Sequence, residues 1–182
     1  SATTRVLQAL KRLGWSYKSR YLPWARGQQE LADYRQSRLC ELPWDASYKP
    51  ERAEDAFYSV PLYYTHLGFF YLKRRFPEAP DLQTVNRSRV CGVLGYNYAP
   101  YGLAQEPRRL KQLQQALDML GRDRCEFLTS EIEPLMSGIG IGIYQSESGL
   151  LHIALPSRKG FYLLGSKGSP RSYELVARLH QL

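Results

Sequence analysis

The residues best suited to chemistry lie near the start of the chain, where basic and aromatic side chains alternate between positions 15 and 26. A lysine or arginine neutralises a phosphate group, and an aromatic ring offers a plane on which a nucleic-acid base can stack. This mixture therefore predicts a surface that binds the backbone of a nucleic acid. The predicted contact residues of this basic–aromatic segment are Trp15, Tyr17, Lys18, Arg20, Tyr21 and Arg26.

A second pair of cations, Arg158 and Lys159, lies within the sequence Pro-Ser-Arg-Lys-Gly at 156–160. This segment separates two apolar runs, 150–155 and 161–164, and its composition is typical of a turn between antiparallel strands. We therefore expect a β-hairpin whose basic tip adds Arg158 and Lys159 to the same nucleic-acid surface. Binding of this kind depends mostly on phosphate contacts, so we expect it to weaken steeply as the salt concentration rises.

The distribution of charge favours the same interpretation. The net charge is +8 at pH 7, and residues 1–40 hold eight basic side chains against two acidic ones. Residues 41–60, by contrast, carry an acidic excess. Such asymmetry is typical of proteins with a polyanionic or acidic partner, so the predicted partner is a nucleic acid or an acidic protein surface.

No motif indicates a catalytic site. The segment 165–169, Gly-Ser-Lys-Gly-Ser, has the composition of a phosphate-binding loop but lacks its spacing. Glu131 and Glu133 are close in sequence, yet no acid-x-lysine strand follows them. The three histidines form no pair at metal-ligand spacing. The sequence therefore predicts no catalytic residue, no metal and no cofactor.

Two other classes of function stay open. One is an assembly or adaptor subunit that docks on an acidic protein through the basic–aromatic segment. The other is an enzyme whose site is built from residues distant in sequence, near the tyrosine-rich loop at 96–101 or near His66. The aromatic neighbours of His66 favour a hydrogen-bonded core histidine over a catalytic or ligand role.

The three cysteines, Cys40, Cys91 and Cys125, are far apart and odd in number. Without a CxxC pair, neither a zinc site nor a disulfide framework is predicted. No secretory signal is visible, so the expectation is three buried thiols in a reducing cytoplasm. The run 56–72 carries no formal charge, but it is too short and too polar for a membrane span, and no membrane association is predicted.

Several elements are expected to position these residues. The alternation of glycine and isoleucine at 138–143 predicts a strand with all three isoleucines on one face. The leucines of 107–120 recur at helical spacing, and 61–76 is interpreted as a buried central helix. Thr3 or Thr4 is predicted to cap a first helix, and Gly14 is predicted to stop it. A final helix follows Ser169, with its inward positions at Leu175, Val176, Leu179 and Leu182.

The predicted fold class is α+β. It is a mostly helical single domain, residues 1–182, with a C-terminal three-stranded antiparallel β-meander at about 138–164 and a final helix. The alternative division separates a basic and aromatic helical part, 1–76, from a part with a helix and the meander, 77–182.

Overall fold

The computed structural model describes residues 2–178. Its helices are α1 (Ala2–Arg12), α2 (Trp24–Ala32), α3 (Tyr34–Ser37), α4 (Leu82–Asn86), α5 (Leu113–Gly121), α6 (Ile132–Gly140) and α7 (Ser172–Arg178). Its strands are β1 (Ala46–Ser47), β2 (Ala56–Tyr58), β3 (Tyr63–Leu72), β4 (Val90–Val93), β5 (Arg108–Leu110), β6 (Phe127–Glu131), β7 (Leu150–Tyr162) and β8 (Leu164–Ser166). Two short 3-10 helices lie at Pro50–Glu54 and Ala99–Tyr101.

The chain folds into two compact units. Unit 1 comprises the residues up to Tyr64 together with those from Gly160 onward, and unit 2 comprises Thr65–Lys159. The chain passes from one unit to the other twice, once within β3 and once within β7. Two units joined by two strands are compatible with a single domain over 1–182 and also with a division into two parts. Both organisations therefore stay predictions.

The sheet of unit 2 is mixed. Hydrogen bonds join six strands in the order β1-β7-β3-β6-β4-β5, and β1 pairs with the part of β7 that belongs to unit 1. Strand β4 runs parallel to both β5 and β6, whereas β6 is antiparallel to β3. Helix α5 forms the crossover between β5 and β6, as parallel strands require. The carboxyl ends of β4, β5 and β6 therefore lie on the same edge of the sheet.

Unit 1 combines helices with a two-stranded antiparallel ribbon, in which β2 pairs with β8. Its core includes Val6 and Leu10 of α1 together with Leu175 and Val176 of α7. Helix α1 ends at Arg12, and Gly14 follows with a positive φ of 72°, so the end of the first helix is as predicted. The predicted cap is wrong, because Thr3 and Thr4 lie inside the helix.

The glycine–isoleucine stretch is not a strand. Residues 138–140 form the last turn of α6, and Ile141 and Ile143 are exposed in the turn that follows. A Cβ on Gly138 would collide with the ring of Tyr144, so the helix end requires glycine at this position. The predicted strand was wrong because six alternating residues are too few to distinguish a strand from a helix end that runs into a turn.

The predicted hairpin is also absent. Strand β7 runs without interruption for 13 residues, and the segment 156–160 lies inside it rather than at a turn. Consecutive side chains of a strand point to opposite faces, and here Arg158 is exposed while Lys159 is buried. Proline and glycine resembled a turn in the sequence, but both are accommodated within this strand.

The predicted central helix at 61–76 is strand β3. All six residues of 67–72 are buried, so both faces of this strand lie against other groups. A strand that is covered on both sides loses the alternation of polar and apolar residues, and its sequence then resembles that of a buried helix.

The fold class predicted from the sequence is therefore wrong, because a six-stranded mixed sheet replaces the three-stranded meander of a mostly helical domain. The final helix exists as α7, with Leu175 and Val176 buried, while Leu179 and Leu182 lie outside the described residues. Helix α5 occupies only the second half of 107–120, since 108–110 forms β5.

Cys91 and Cys125 form a disulfide in unit 2, with their Cα atoms 5.9 Å apart. The prediction of three free thiols is therefore wrong for this pair. Cys40 of unit 1 remains a thiol, and burial raises its pKa to about 11. Within residues 2–178, no helix is both long enough and apolar enough to cross a bilayer.

Candidate ligand-binding sites

The edge of unit 2 at which β4, β5 and β6 end is the first candidate, and we call it the carboxyl edge. It comprises the loop 94–98 after β4, Glu131 at the end of β6, and Glu133 in the first turn of α6. In open α/β sheets, ligands bind beyond the carboxyl ends of the parallel strands, where the strand order reverses. The order of strands in unit 2, in which β4 lies between β5 and β6, creates this arrangement.

A buried ion pair lies at the carboxyl edge. The Nζ atom of Lys159 lies 3.1 Å from Oε1 of Glu131, and the two side chains are only 7% and 11% exposed. The Lys159 ammonium also lies 5.9 Å from the ring centre of Tyr96. Removing one partner of such a pair would leave an uncompensated buried charge, so the loss of either side chain should destabilise this end of the sheet.

Tyrosines of the loop after β4 pack onto the end of that strand. The backbone N–H of Val93 donates to Oη of Tyr98 at 2.5 Å, and a Cβ on Gly92 would come within 2.7 Å of the Tyr98 ring. The guanidinium of Arg109 lies 5.0 Å from the Tyr98 ring centre, and its Nη1 donates to the Tyr96 carbonyl at 2.9 Å. Burial raises the pKa of Tyr96 and of Tyr98, so both are neutral phenols at physiological pH.

The second carboxylate of the carboxyl edge is Glu133, which forms hydrogen bonds with His66 of β3. The His66 backbone N–H donates to Oε2 of Glu133 at 2.9 Å, and the His66 ring nitrogen Nδ1 lies against Oε1. Burial by itself raises the pKa of Glu133, but the bonds from His66 outweigh this effect and the pKa is lowered. The side chain of His66 is 58% exposed, so the prediction of a core histidine is wrong.

Arg52 is the centre of a separate candidate in unit 1. It lies in the 3-10 helix Pro50–Glu54, and its Nη1 donates to the carbonyl and, at 3.3 Å, to the hydroxyl of Ser47. Its guanidinium lies 5.1 Å from the ring centre of Trp24. The Gln28 amide oxygen, when turned toward them, accepts from Nη2 of Arg52 at 3.2 Å and from Nε1 of Trp24.

One donor of the Arg52 side chain is left unsatisfied within the described chain. Its Nε atom is buried and has no hydrogen-bond partner. Across residues 2–178, the other arginines of unit 1 that form ion pairs do so with Glu30, Glu41 or Glu174, and Arg52 joins none of these pairs. Burial lowers the pKa of Arg52, as expected for a guanidinium that is partly removed from water.

Arg52 lines a cavity of about 440 Å³ in unit 1. The walls are formed by Gln28, Gln29, Leu31, Ala32, Lys49, Glu51, Arg52, Asp55 and Leu164. Its size is in the range of small-molecule sites, which are typically a few hundred Å³. Lys49 and Arg52 provide positive charge on its walls, and Glu51 and Asp55 provide negative charge.

The basic–aromatic segment is partly neutralised in the structure. Arg20 and Arg26 both bind the buried Glu30, at 2.7 Å and 3.0 Å. Trp15 packs against the core of unit 1, with the Arg171 guanidinium 4.9 Å from its ring centre. The remaining predicted residues, Tyr17, Lys18 and Tyr21, are exposed.

The two cations that were predicted to lie at the tip of a hairpin also have different positions in the structure. Lys159 is buried against Glu131, and Arg158 is exposed on the other face of β7. The structure therefore does not place this pair at a shared basic tip. Within the described chain, no group of three or more His, Cys, Asp or Glu side chains is arranged to hold a metal ion.

No protein-family model matches the chain, and no curated protein is significantly similar to it. Its fold, in contrast, matches many solved structures. The GluR0 ligand-binding core in complex with L-glutamate is 15% identical, with a TM-score of 0.79, and the match covers 100% of this chain and 82% of that one. A histidine kinase sensor domain with similarity to periplasmic binding proteins is 16% identical, with a TM-score of 0.77 and coverage of 100% and 77%.

A third structure, an ABC uptake transporter substrate-binding protein from Streptococcus pneumoniae with bound histidine, is 14% identical. Its TM-score is 0.76, and the match covers 100% of this chain and 75% of that one. These likenesses show that the chain has a periplasmic-binding-protein-like fold. Two of these structures hold an amino acid, L-glutamate in one and histidine in the other, so the predicted nucleic-acid-binding and DNA-binding function is wrong.

Sequence reasoning missed Arg52 and the pairing of Glu131 with Lys159, whereas the loop that contains Tyr96 was named only as a possible location of an enzyme site. The signal for Glu131 was an acidic residue directly after the buried run Phe-Leu-Thr-Ser at 127–130, but a run this short does not by itself distinguish a strand from a helix. Arg52 follows a proline in a short charged turn, and nothing in its immediate sequence distinguishes it from a solvated surface arginine.

Proposed function

We propose that this protein binds a small solute that carries a carboxylate group, and that it does so without catalysing a reaction. The observation that carries the proposal is the Arg52 guanidinium, which is half-buried on the wall of a cavity and pairs with no carboxylate of residues 2–178. A buried charge without a counter-ion is costly, and a bound anion removes that cost. The amino acids found in structures of similar fold all carry a carboxylate.

The geometry around Arg52 suits a carboxylate. A guanidinium presents its donors in a planar fork that matches the two oxygens of a carboxylate. Stacking on Trp24 and bonding to Ser47 fix the plane of this fork before a ligand arrives. A donor that is already oriented loses less entropy on binding, so the affinity is higher.

The first prediction concerns Arg52 itself. We expect isothermal titration to detect binding of glutarate, L-glutamate or acetate to the wild-type protein. Arg52→Gln should weaken that binding by about tenfold or more, because a hydrogen bond to a charged group contributes about 1.5–3 kcal/mol. The matched control is Arg12→Gln, which removes an exposed arginine from the last turn of α1.

Circular dichroism confirms that both variants are folded before their affinities are compared. Equal affinities of wild type and Arg52→Gln for every acid would contradict the proposal. A loss of affinity in Arg12→Gln that equals the loss in Arg52→Gln would also contradict it, because the effect would then reflect net charge and not the cavity.

Delivery of the solute to an ABC uptake transporter is the partnership that we propose, in place of the predicted nucleic-acid or acidic-protein partner. It is supported by the likeness to a substrate-binding protein of such a transporter. The disulfide favours an oxidising compartment over the cytoplasm expected from the sequence, because intracellular thiols are kept reduced. Mass spectrometry of protein alkylated directly in cells tests this, and free Cys91 and Cys125 would restore the cytoplasmic expectation.

A further inference from the structure

We propose that unit 1 has a second binding site, which takes a small zwitterion in a cavity separate from that of Arg52. This second cavity has a volume of about 430 Å³ and is formed by the start of α1, the residue before β1 and the start of β3. All of its wall residues belong to unit 1, and none of them lines the cavity of Arg52. They are Ala2, Thr3, Arg5, Asp45, Leu62 and Tyr63. The second site is therefore independent of the function proposed for the cavity of Arg52.

The acidic group of the second cavity is the carboxylate of Asp45. Its backbone has a positive φ of 65°, a conformation that is rare for residues other than glycine and that aspartate and asparagine tolerate best. Its Oδ1 accepts a hydrogen bond from the Tyr63 hydroxyl at 3.1 Å, and the Tyr63 ring is stacked on Phe161 with the ring centres 4.9 Å apart. Burial raises the pKa of Asp45, and the bond from Tyr63 only partly offsets this effect. A cation of a ligand would therefore stabilise the charged form of this carboxylate.

The basic group of the second cavity is the guanidinium of Arg5, an exposed residue in the first half of α1. Within residues 2–178, the acids of unit 1 that form ion pairs are Glu30, Glu41 and Glu174, and neither Arg5 nor Asp45 takes part in any of these pairs. Both residues lie in the described part of the chain and line one cavity, yet they form no ion pair with each other. The wall therefore presents a positive and a negative charge, each of which the described chain leaves without a counter-ion.

Two opposite charges on the wall of one cavity favour a ligand that carries both. A ligand with only a carboxylate is attracted by Arg5 but repelled by Asp45, and a ligand with only an ammonium group is attracted by Asp45 but repelled by Arg5. A zwitterion gains both attractions when its carboxylate faces Arg5 and its ammonium group faces Asp45. The charges of the wall therefore select a zwitterion over either singly charged analogue.

The other wall residues indicate the size and polarity of this zwitterion. The Thr3 hydroxyl oxygen accepts a hydrogen bond from Nε1 of Trp44 at 3.0 Å, which leaves its hydrogen to donate to a ligand. Ala2 and Leu62 are half-buried and form an apolar part of the wall. The volume of the cavity is in the range of small-molecule sites. These properties suit a zwitterion with a short apolar side chain, and L-alanine is the simplest probe of this class.

The experiment compares L-alanine with propionate, which lacks the ammonium group, and with ethylamine, which lacks the carboxylate. It uses the Arg52→Gln variant, so that acids bound in the cavity of Arg52 contribute little to the signal. Isothermal titration should give an affinity for L-alanine at least about tenfold higher than for either singly charged probe. Equal affinities for the three probes, or no binding of L-alanine, would overturn the inference.

Two further substitutions in the same background test the two charges separately. Asp45→Asn suits the positive φ and should abolish the preference for L-alanine over propionate, whereas Arg5→Gln should abolish the preference over ethylamine. Each should weaken the binding of L-alanine by about tenfold, because each removes a bond between charged groups. The matched controls, Asp33→Asn and Arg12→Gln, change exposed residues outside the cavity and should leave both preferences intact. Preferences that survive both test substitutions, or that are lost equally in the controls, would contradict the assignment.

NMR of the tryptophan indole N–H groups locates the site in the wild-type protein. The indole of Trp44 donates to Thr3 on the wall of the second cavity, whereas the indole of Trp24 lies against Arg52. L-alanine should therefore shift the Trp44 signal, which Trp44→Phe identifies, and this shift should disappear in Asp45→Asn. A Trp44 signal that stays in place while the Trp24 signal moves would locate L-alanine in the cavity of Arg52. That result would overturn the second site and leave the proposed function of the first cavity intact.

Discussion

Acidic side chains of unit 1 form ion pairs with its arginines, and these pairs reduce the positive charge on its surface. Burial alone would raise the pKa of Glu30, but hydrogen bonds from Arg26 and Arg20 outweigh this effect, and the pKa is lowered. Glu41 is held in the same way, since Arg171 donates to its two oxygens at 2.7 Å each and Ser169 donates to one of them. These bonds lower the pKa of Glu41, so its carboxylate is charged whenever the protein is folded near neutral pH.

Replacing Glu41 with glutamine should lower the free energy of unfolding by about 1 kcal/mol at neutral pH, after allowance for the exposure of Arg171. The lowered pKa means that this stabilisation is present above the unfolded-state pKa and is lost as the pH falls through the folded-state value. Wild type and variant should therefore begin to converge as the pH falls below the unfolded-state pKa of about 4.3, and converge fully only below the lowered folded-state pKa. Urea unfolding at neutral and acidic pH measures this difference, and Glu174→Gln, in an exposed pair with Arg178, is the control. A difference that persists at acidic pH would show that the carboxylate charge is not its cause.

Among the elements, the helices at the two ends of the described chain were predictable and the long strands were not. The helices α1 and α7 each bury one stripe, with Val6 and Leu10 in the first and Leu175 and Val176 in the second, so their spacing is visible in sequence. Strand β3 is buried on both faces, and β7 contains a proline and a glycine, so neither shows a period of two. The sequence did not predict the disulfide either, because it joins two positions 34 residues apart that meet only through the pairing of β4 with β6.

The Cys91–Cys125 disulfide links the start of β4 to the approach to β6, so it should stabilise the central strands of unit 2. Replacing both cysteines with alanine should lower the free energy of unfolding by about 3–4 kcal/mol, as expected for a closed loop of roughly 35 residues. Urea unfolding, combined with hydrogen exchange read separately for each unit, measures the loss and its location. Cys40→Ala in unit 1 is the control and should have a small effect. A loss that appears first in the amides of unit 1 would contradict this assignment.

At the scale of the whole molecule, the net charge of +8 was a main reason for predicting nucleic-acid binding, and that prediction was wrong. A sequence gives the number of cations but not their partners, and several of them are bound by acids far along the chain. Arg74 binds Asp123 and Glu147, and Lys159 binds Glu131. The candidate sites depend on the same distant contacts, since the carboxyl edge exists only once β4, β5 and β6 are aligned. Local patterns therefore revealed which residues are charged, but not which of these charges remain available to a ligand.

The remaining positive charge should still act on an anionic solute, but only through long-range attraction and a few direct contacts. We expect the affinity of the wild-type protein for glutarate to fall by less than about tenfold when NaCl rises from about 50 mM to about 500 mM. A ligand with many phosphates would instead lose affinity by about three orders of magnitude or more over such a range. Isothermal titration across this salt series measures the slope, with propionate as the singly charged control that should show a shallower dependence. A steep loss for glutarate would mean that the charge of the molecule, and not a defined site such as Arg52, governs binding.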